Sequence, residues 1–500
     1  MKFKKTAPKK VLLFLSILIF SISCSKDSDL LQEYILSDST DTEEVIDDIV
    51  DNENDESINS GNNDIVDGNN TDKDDSGPLK AFPSAEGFGK NATGGRGGDL
   101  YYVTNLNSDG PGSLQYGLST TPSSGRTILF KVSGWIDHGG SDYLVLNKPN
   151  ITIAGETAPG GGIGIRGELR IQNDNVIVRH ISVRNDDGWS GSNQAAVRIA
   201  AYNGESTEDI ILDHVSLGWA SDENLTVTST SNTGYVNRVT VQNCIIDNNL
   251  NTGYNAINYW NVTNFTYFQN LFGYSTDRNP QSTTCGAGSM EVINNMIYSY
   301  TQGAFIASWG IDFDVIGNHY DTGGNSLPWG DAVVQMNDPR VQNCEELGKT
   351  DLGLEATRLY YEDNLFNNGP ADYDSYSKSR LQSAPQVSSG IIAYPATQTR
   401  NNVLTNAGAY NGLQQGLNSY DRDLINKVQN DLQGTRLTSR IYPLDFPTLG
   451  QGVPYVDTDN DGMEDQWEIK NFGDLQQFHN GDYDNDGYTN IEEFLHYLAE

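Results

Sequence analysis

Two acidic loops near the carboxyl end hold the residues whose chemistry is plainest. In the first, Asp457, Asp459 and Asp461 alternate along the chain, Gly462 follows, and Glu468 stands at the twelfth place. The second repeats the pattern with Asp482, Asp484, Asp486, Gly487 and Glu493. Alternate carboxylates turn their oxygens toward one centre, the glycine allows a sharp bend, and the last glutamate closes the coordination sphere of a hard cation such as Ca2+. A solvated acidic tail would explain the charge but not two loops with glycine and glutamate in register. After each loop the pattern turns amphipathic and helical, through Trp467, Ile469 and Phe472 and then Ile491, Phe494, Leu495 and Leu498. Residues 451–500 therefore read as a small helical module built on paired calcium loops, the calcium being structural.

Other side chains offer less specific chemistry. Glycine-rich stretches at 81–98 (AFPSAEGFGKNATGGRGG) and 154–167 (AGETAPGGGIGIRG) have the composition of phosphate loops. No GxGxxG opens a helix after a strand and no P-loop lysine is present, so a nucleotide site is discarded. Tyr254, Tyr259, Trp260, Tyr267 and Tyr274 form an aromatic group on which sugar rings could stack, although strand composition accounts for them equally well. Beyond Cys24, the cysteines are Cys244, Cys285 and Cys344, an odd number with no zinc or iron–sulfur spacing. Cys244 lies in an apolar strand and reads as a small buried residue.

These groups must be held by strands. Seven short segments recur through the middle of the chain: VRHISV, LDHVSL, VQNCII, FQNLFG, INNMIY, IGNHYD and EDNLFN. Aligned on their polar residue they superimpose His180, His214, Asn243, Asn270, Asn295, Asn318 and Asn364. Each is rich in β-branched and aromatic residues, and one such strand cannot bury its own face unless the next coil stacks on it. The fold expected is all-β, a right-handed single-stranded parallel β-helix over 80–450, with amides hydrogen-bonded from coil to coil. On this alignment His214 shares the interior phase and is a core histidine, with Asp213 beside it ordering the strand.

The net charge of −36 is concentrated at the ends. Residues 25–78 carry 18 acids against Lys26 and Lys73. They are poor in aromatics, so 25–79 is expected to be a disordered tether. Residues 457–500 carry 13 acids against Lys470. Such a balance argues against nucleic acid as a partner. At the amino end, five lysines precede an apolar run too short to span a membrane. Ser21-Ile22-Ser23-Cys24 resembles a bacterial lipoprotein cleavage box, implying a signal over 1–24 and a lipid on Cys24. The protein is then expected outside the cytoplasm, secreted or on the outer membrane through its lipid anchor, as a monomer.

Four stretches carry a family resemblance: the glycine-rich opening, VTNLNSDGPGSLQ (103–115), the TAPGGG turn, and DHVSLGWASDEN (213–224). From about residue 81 to about residue 367 the chain resembles the pectate lyases of polysaccharide lyase family 1, especially their Bacteroidetes branch. Its end resembles the calcium-loop pairs of secreted carbohydrate enzymes, akin to half of a dockerin. The resemblance implies calcium-assisted β-elimination on a 1,4-linked uronate polymer, an anionic polysaccharide of which polygalacturonate comes first. The family's Arg-x-Pro motif falls on Arg278 and Pro280, which makes Arg278 the proton-abstracting residue. Asp222 and Glu223 match calcium ligands, and Asp186 and Asp187 occupy the stretch of another, with Asp187 chosen. Arg198, Tyr254 and Tyr259 are the expected substrate contacts.

The family pattern is incomplete here. Gln281, Ser282 and Thr283 stand where a second arginine is usual, SNQAAVRI (192–199) lacks an acid, and residues 247–262 lack a lysine. Arg198, Lys90 and Arg96 are candidate replacements. Two alternatives stay open: the same fold acting on ulvan or alginate, and a non-catalytic glycan-binding β-helix. A glycoside hydrolase would need paired acids at retaining or inverting spacing, and only Asp186 with Asp187 is available.

Overall fold

The computed structural model describes residues 77–500 apart from 139–142, 186–193, 231–232, 285–287, 302–304, 309, 326–331, 336–355, 368, 411–415 and 433–445. The leader, Cys24 and nearly all of the 25–79 tether lie outside the described residues. Three parallel sheets wrap one interior: a first from Asp99–Val103 to Arg358–Glu362, a second from Gly134–Asp137 to Leu365–Phe366, edged by the short antiparallel strand Gly369–Pro370, and a third from Tyr143–Leu146 to Asp372–Tyr373. Within each sheet a strand pairs with its equivalent on the neighbouring coil, as a parallel β-helix requires. The chain has that fold. Alternate residues point inward, so Ile210 and Leu212, Val239 and Val241, Phe265 and Tyr267, Met290 and Val292, and Phe313 and Val315 stack as one buried core. Cys244 is part of it and fully buried, which pushes its thiol up.

The asparagine column is present at Asn270, Asn295, Asn318 and Asn364, while His180, His214 and Asn243 stand one residue out of the expected register. Register partners Asp213, Gln242, Phe268, Ile293, Ile316 and Glu362 end the strands of the first sheet. The next residue on each coil, His180, His214, Asn243, Gln269, Asn294, Gly317 or Asp363, has φ between 46° and 67° and turns the corner. Only the residue after that points inward. There Asn270, Asn295, Asn318 and Asn364 form the ladder, each amide passing a hydrogen bond of 2.9–3.1 Å to the next. Its far end is capped by the Cys244 amide, which donates to Asn270 Oδ1 at 2.9 Å. His180, His214 and Asn243 are thus corner residues. His214 is not an interior histidine, since a side chain in the left-handed corner leaves the core rather than entering it.

Three covers shield the outer faces. Residues 81–98 lie flat across the first sheet, where the Gly89 amide donates to Thr240 Oγ1 and the Gly95 amide to Thr152 Oγ1. A Cβ at Gly89 would stand 2.1 Å from the Ile210 carbonyl, so only glycine lets the strap lie this close. Helices Ala396–Asn406 and Ser419–Gln429 cover the second sheet, burying Val403, Leu404, Leu424 and Val428 against Ile245, Leu271 and Met296. Beneath the latter helix, fully buried Arg184 pairs with Asp247 at 2.7 Å and with Asp421 at 2.5 Å. Helix Leu114–Ser119 begins on Ser113, whose hydroxyl accepts from the Tyr116 amide, and buries Leu114 and Leu118 at the start of the coil stack.

Candidate active site

A second column of amides runs inside the corner between the second and third sheets. Asn224 Nδ2 donates to Asn255 Oδ1 at 2.9 Å, and Asn255 Nδ2 to Asn279 Oδ1 at 2.7 Å. All three are at most 1% exposed. Alternation then turns the residue before each asparagine outward, and those residues are Glu223, Tyr254 and Arg278. Glu223 pairs with Tyr254 in register, Tyr254 bridges to Asp277, one residue before Arg278, and the Ala256 amide donates to the Arg278 carbonyl at 2.8 Å. Arg278 itself has φ 62°, and the peptide from Asn279 to Pro280 is cis.

On the outer side, Arg278 forms an ion pair with Glu223 through Nη1 and lies 3.9 Å over the Tyr254 ring. Thr226 Oγ1 donates to the other Glu223 oxygen at 3.4 Å. Burial raises the Asp222 carboxyl above its usual range, and the charges of Arg278 and then Arg198 oppose that rise. Burial also raises the Tyr259 phenol, with the Asp222 charge adding to it. Arg278, Glu223 and Tyr254 are therefore in contact, with Asp222, Arg198 and Tyr259 coupled to them through their charges. Asp186 and Asp187 fall on residues outside the description.

Arg198 is committed to a partner absent from the sequence reading. Glu168, 1% exposed, accepts from Arg198 Nε at 2.8 Å and from Arg170 Nε at 2.6 Å. Arg170 and Arg198 are register partners on adjacent strands, and Arg170 also lies 3.6 Å over the Tyr143 ring. A clustered acid and a second arginine thus stand on this sheet after all, both two coils from Asp222, with Arg198 on the coil between. Their signal was the alternation in ELRI, which sends Glu168 and Arg170 to one face. Lys90 and Arg96 do not replace the missing cations. They sit in the strap on the first sheet, where Lys90 bonds the Ser389 carbonyl at 2.9 Å and Arg96 pairs with Glu492 at 2.8 Å.

The carboxyl-terminal carboxylates cluster as their spacing implies. Asp457, Asp459 and Asp461 each bring an oxygen within 4.8 Å of the others, as do Asp482, Asp484 and Asp486. Glu468 is fully buried with neither carboxylate oxygen hydrogen-bonded, and Asp461 Oδ2 is likewise without a partner. Buried acceptors left open beside like charges are the donor set a hard cation satisfies. Burial followed by Asp461 and Asp459 pushes Glu468 up to about 8, and burial followed by Asp486 and Asp484 pushes Glu493 up to about 7. The module is seated on the first sheet: Met463, Trp467, Ile491, Phe494 and Leu495 bury Leu129 and Ala154, and Tyr102 donates to Asp457 Oδ2 at 3.1 Å.

Comparison with known proteins gives this arrangement a family. The chain is 32% identical over 436 residues to "Probable pectate lyase C" of Aspergillus flavus, covering 84% of this chain and 94% of that one. The protein of that name from Emericella nidulans is 36% identical over 247 residues, 49% of this chain and 54% of that one. Among solved structures, a Bacillus sp. N165 pectate lyase in complex with trigalacturonate shares 17% identity at a TM-score of 0.46, over 65% of this chain and 98% of that one. The cedar pollen allergen jun a 1 shares 17% at 0.47, over 65% and 92%. No family model matches. The protein is a polysaccharide lyase built on a parallel β-helix. It belongs to the pectate lyase family.

Proposed function

We propose that this protein cleaves pectate by β-elimination, with Arg278 as the base and calcium held by Asp222 and Glu223, joined by Asp187. The observation that carries the reading is the column Glu223, Tyr254, Arg278, which sets a guanidinium, a carboxylate and an aromatic ring on successive coils of one face. Asp222 stands beside these groups with its carboxyl raised by burial and opposed by Arg278 and then Arg198, a setting in which a bound cation would favour the carboxylate. Calcium bound there would neutralise the uronate carboxylate and draw Glu223 away from Arg278. Arg278 takes the proton from the carbon beside that carboxylate, the bond to the glycosidic oxygen breaks, a carbon–carbon double bond forms, and the departing oxygen is protonated. A guanidinium is a poor base, and Glu223 as it stands holds it charged. Release of that pair and the nearby positive charge of Arg198 are what lower the cost. Tyr254 and Tyr259 offer ring faces to the sugars, and Arg198 a charge to a neighbouring carboxylate.

The family 1 resemblance and the lipoprotein leader extend the proposal to an extracellular enzyme tethered through Cys24, with structural calcium in the two terminal loops. An altered cation set, in which Glu168 is shared by Arg170 and Arg198 and leaves the pair with one net positive charge, favours a second reading: the same chemistry on ulvan or alginate. The test is new near-ultraviolet absorbance from the unsaturated uronate. Polygalacturonate with calcium should yield it, and chelator or Arg278→Ala should abolish it. Absorbance only on ulvan or alginate would move the assignment to the second reading, and none on any of the three would refute both.

A further inference from the structure

On the corner between the first and second sheets, away from the Arg278 column, three potential ligands converge. One nitrogen each from His180 and His214 and one Asp213 oxygen lie within 4.8 Å of one another. The two imidazoles occupy the same corner position on adjacent coils and stack at 4.7 Å with an 11° tilt, so their edges face the same way. His180 is 3% exposed, and neither ring nitrogen has a hydrogen-bond partner of normal geometry, although the Tyr410 backbone lies near enough to act on it. A buried imidazole with both nitrogens unsatisfied is costly unless something absent from the chain completes it. His214 Nδ1 stands 3.0 Å from Asp213 Oδ1.

We propose that His180, His214 and Asp213 bind a divalent transition-metal ion of the zinc type. Two imidazoles and a carboxylate are borderline ligands that favour such ions over calcium. Ligands about 2.0–2.1 Å from a tetrahedral centre lie about 3.3 Å apart; His214 Nδ1 and Asp213 Oδ1 at 3.0 Å are already close to that, and small side-chain rotations bring the third ligand to it. Burial, with the neighbouring His214 and Arg179, holds His180 in its neutral, ligating form. Charge is also suitable. Arg179 pairs with Asp213 at 3.1 Å, but Glu156 shares the same arginine at 3.2 Å, so Asp213 is not its sole counter-charge. The Asp213 Oδ1 that faces the histidines accepts from Gln242 at 2.9 Å and Asn243 at 3.2 Å, two bonds that orient it as outer partners orient a ligand. His214 opens onto a cleft of about 650 Å³ shared with Glu86, Asn243, Gln269 and Tyr394, which gives the ion a way in.

The test uses the whole protein in excess calcium, so that the acidic loops are filled, titrated with Zn2+ alone and separately with Co2+. One Zn2+ per chain is expected. Affinity should fall about ten-fold or more in His180→Asn and in His214→Asn. Asparagine already fills this corner at Asn243 and Asn294, so both variants keep a side chain the turn accepts. Visible Co2+ absorption should appear in the parent protein, persist in His319→Asn, and vanish in the two corner variants. In the unmodified protein, Zn2+ should shift the imidazole nitrogen resonances of His180 and His214 together, a readout independent of variant folding. Unchanged Zn2+ binding in both variants, no bound Zn2+ in the parent, or unshifted resonances would each overturn the proposal. None of these measurements depends on lyase activity.

Discussion

Asn255 is the side chain through which the interior sets the position of Arg278, and removing its amide should separate stability from activity. Asn255→Ala deletes three buried hydrogen bonds: from Asn224 at 2.9 Å, to Asn279 at 2.7 Å and to the Gly273 carbonyl at 3.3 Å. Each partner keeps one other bond, Asn224 to the Asp247 carbonyl, Asn279 from Ser275, and Gly273 from the Asn248 amide. The loss per bond should therefore sit near the lower end of the usual range, about 1 kcal/mol each. With the small void left by the amide, the total is about 3–4 kcal/mol. Asn295→Ala, on the other corner, removes bonds from Asn270 and to Asn318, Tyr267 and Ile293, and should cost at least as much. The two variants differ in what they move. Asn255 holds the strand whose Ala256 amide grips the Arg278 carbonyl, and a displacement of about 1 Å at a reacting group can cost about 100-fold in rate. Denaturant unfolding and the absorbance assay on polygalacturonate, run on both variants well below their melting transitions, decide the matter. Equal loss of activity in the two, or full activity in Asn255→Ala, would refute the role given to the inner column.

Three further outcomes follow from buried charge. Arg184→Ala strands the Asp247 and Asp421 carboxylates under helix Ser419–Gln429 and should destabilise the protein by about 3–5 kcal/mol, read by denaturant unfolding. Burial pushes Asp314 up to about 6 from 3.8. A carboxyl raised in the fold stabilises below its unfolded value and loses that contribution as pH climbs through its folded one. The parent protein should thus lose about 2–3 kcal/mol between pH 4 and 6 relative to Asp314→Asn, and parallel pH curves would contradict this. Calcium at about 100 times its dissociation constant should add about 2.7 kcal/mol per loop site to stability. Glu468→Gln should lose the share of its own loop, measured as the calcium-induced rise in melting temperature.

The asparagine repeat was legible because strand composition and spacing recur, yet its phase on the coils of His180, His214 and Asn243 was not. Gln269-Asn270 and Asn294-Asn295 place amides on both the corner and the interior positions, so residue identity cannot choose between them. Only the backbone decides, through positive φ at one and not the other. The slip carried His214 into the core on paper and onto a corner in the structure. The inner column of Asn224, Asn255 and Asn279 left no pattern to find, since SDEN, GYNA and DRNP share no apolar frame. Arg278, Asp222 and Glu223 became visible through their likeness to a family, while Glu168 and Arg170 looked like an ordinary solvated strand face. The apolar faces of the last two helices were readable as amphipathic, but nothing in them named Leu129 and Ala154 as their seat.

The strap over 81–98 changes how such a stack can come apart. Its contacts run from Gly125 and Arg126 at Gly98 and Gly95, past Ile177 and Ile210, to Thr240 and Thr266 at Gly87. A bare solenoid behaves as a spring whose end turns peel away one at a time, because each coil touches only its neighbours. A ribbon pinned lengthwise across successive turns makes that spring inextensible. No turn beneath it can open without shearing the ribbon from the others, so those turns should be lost in a single cooperative event.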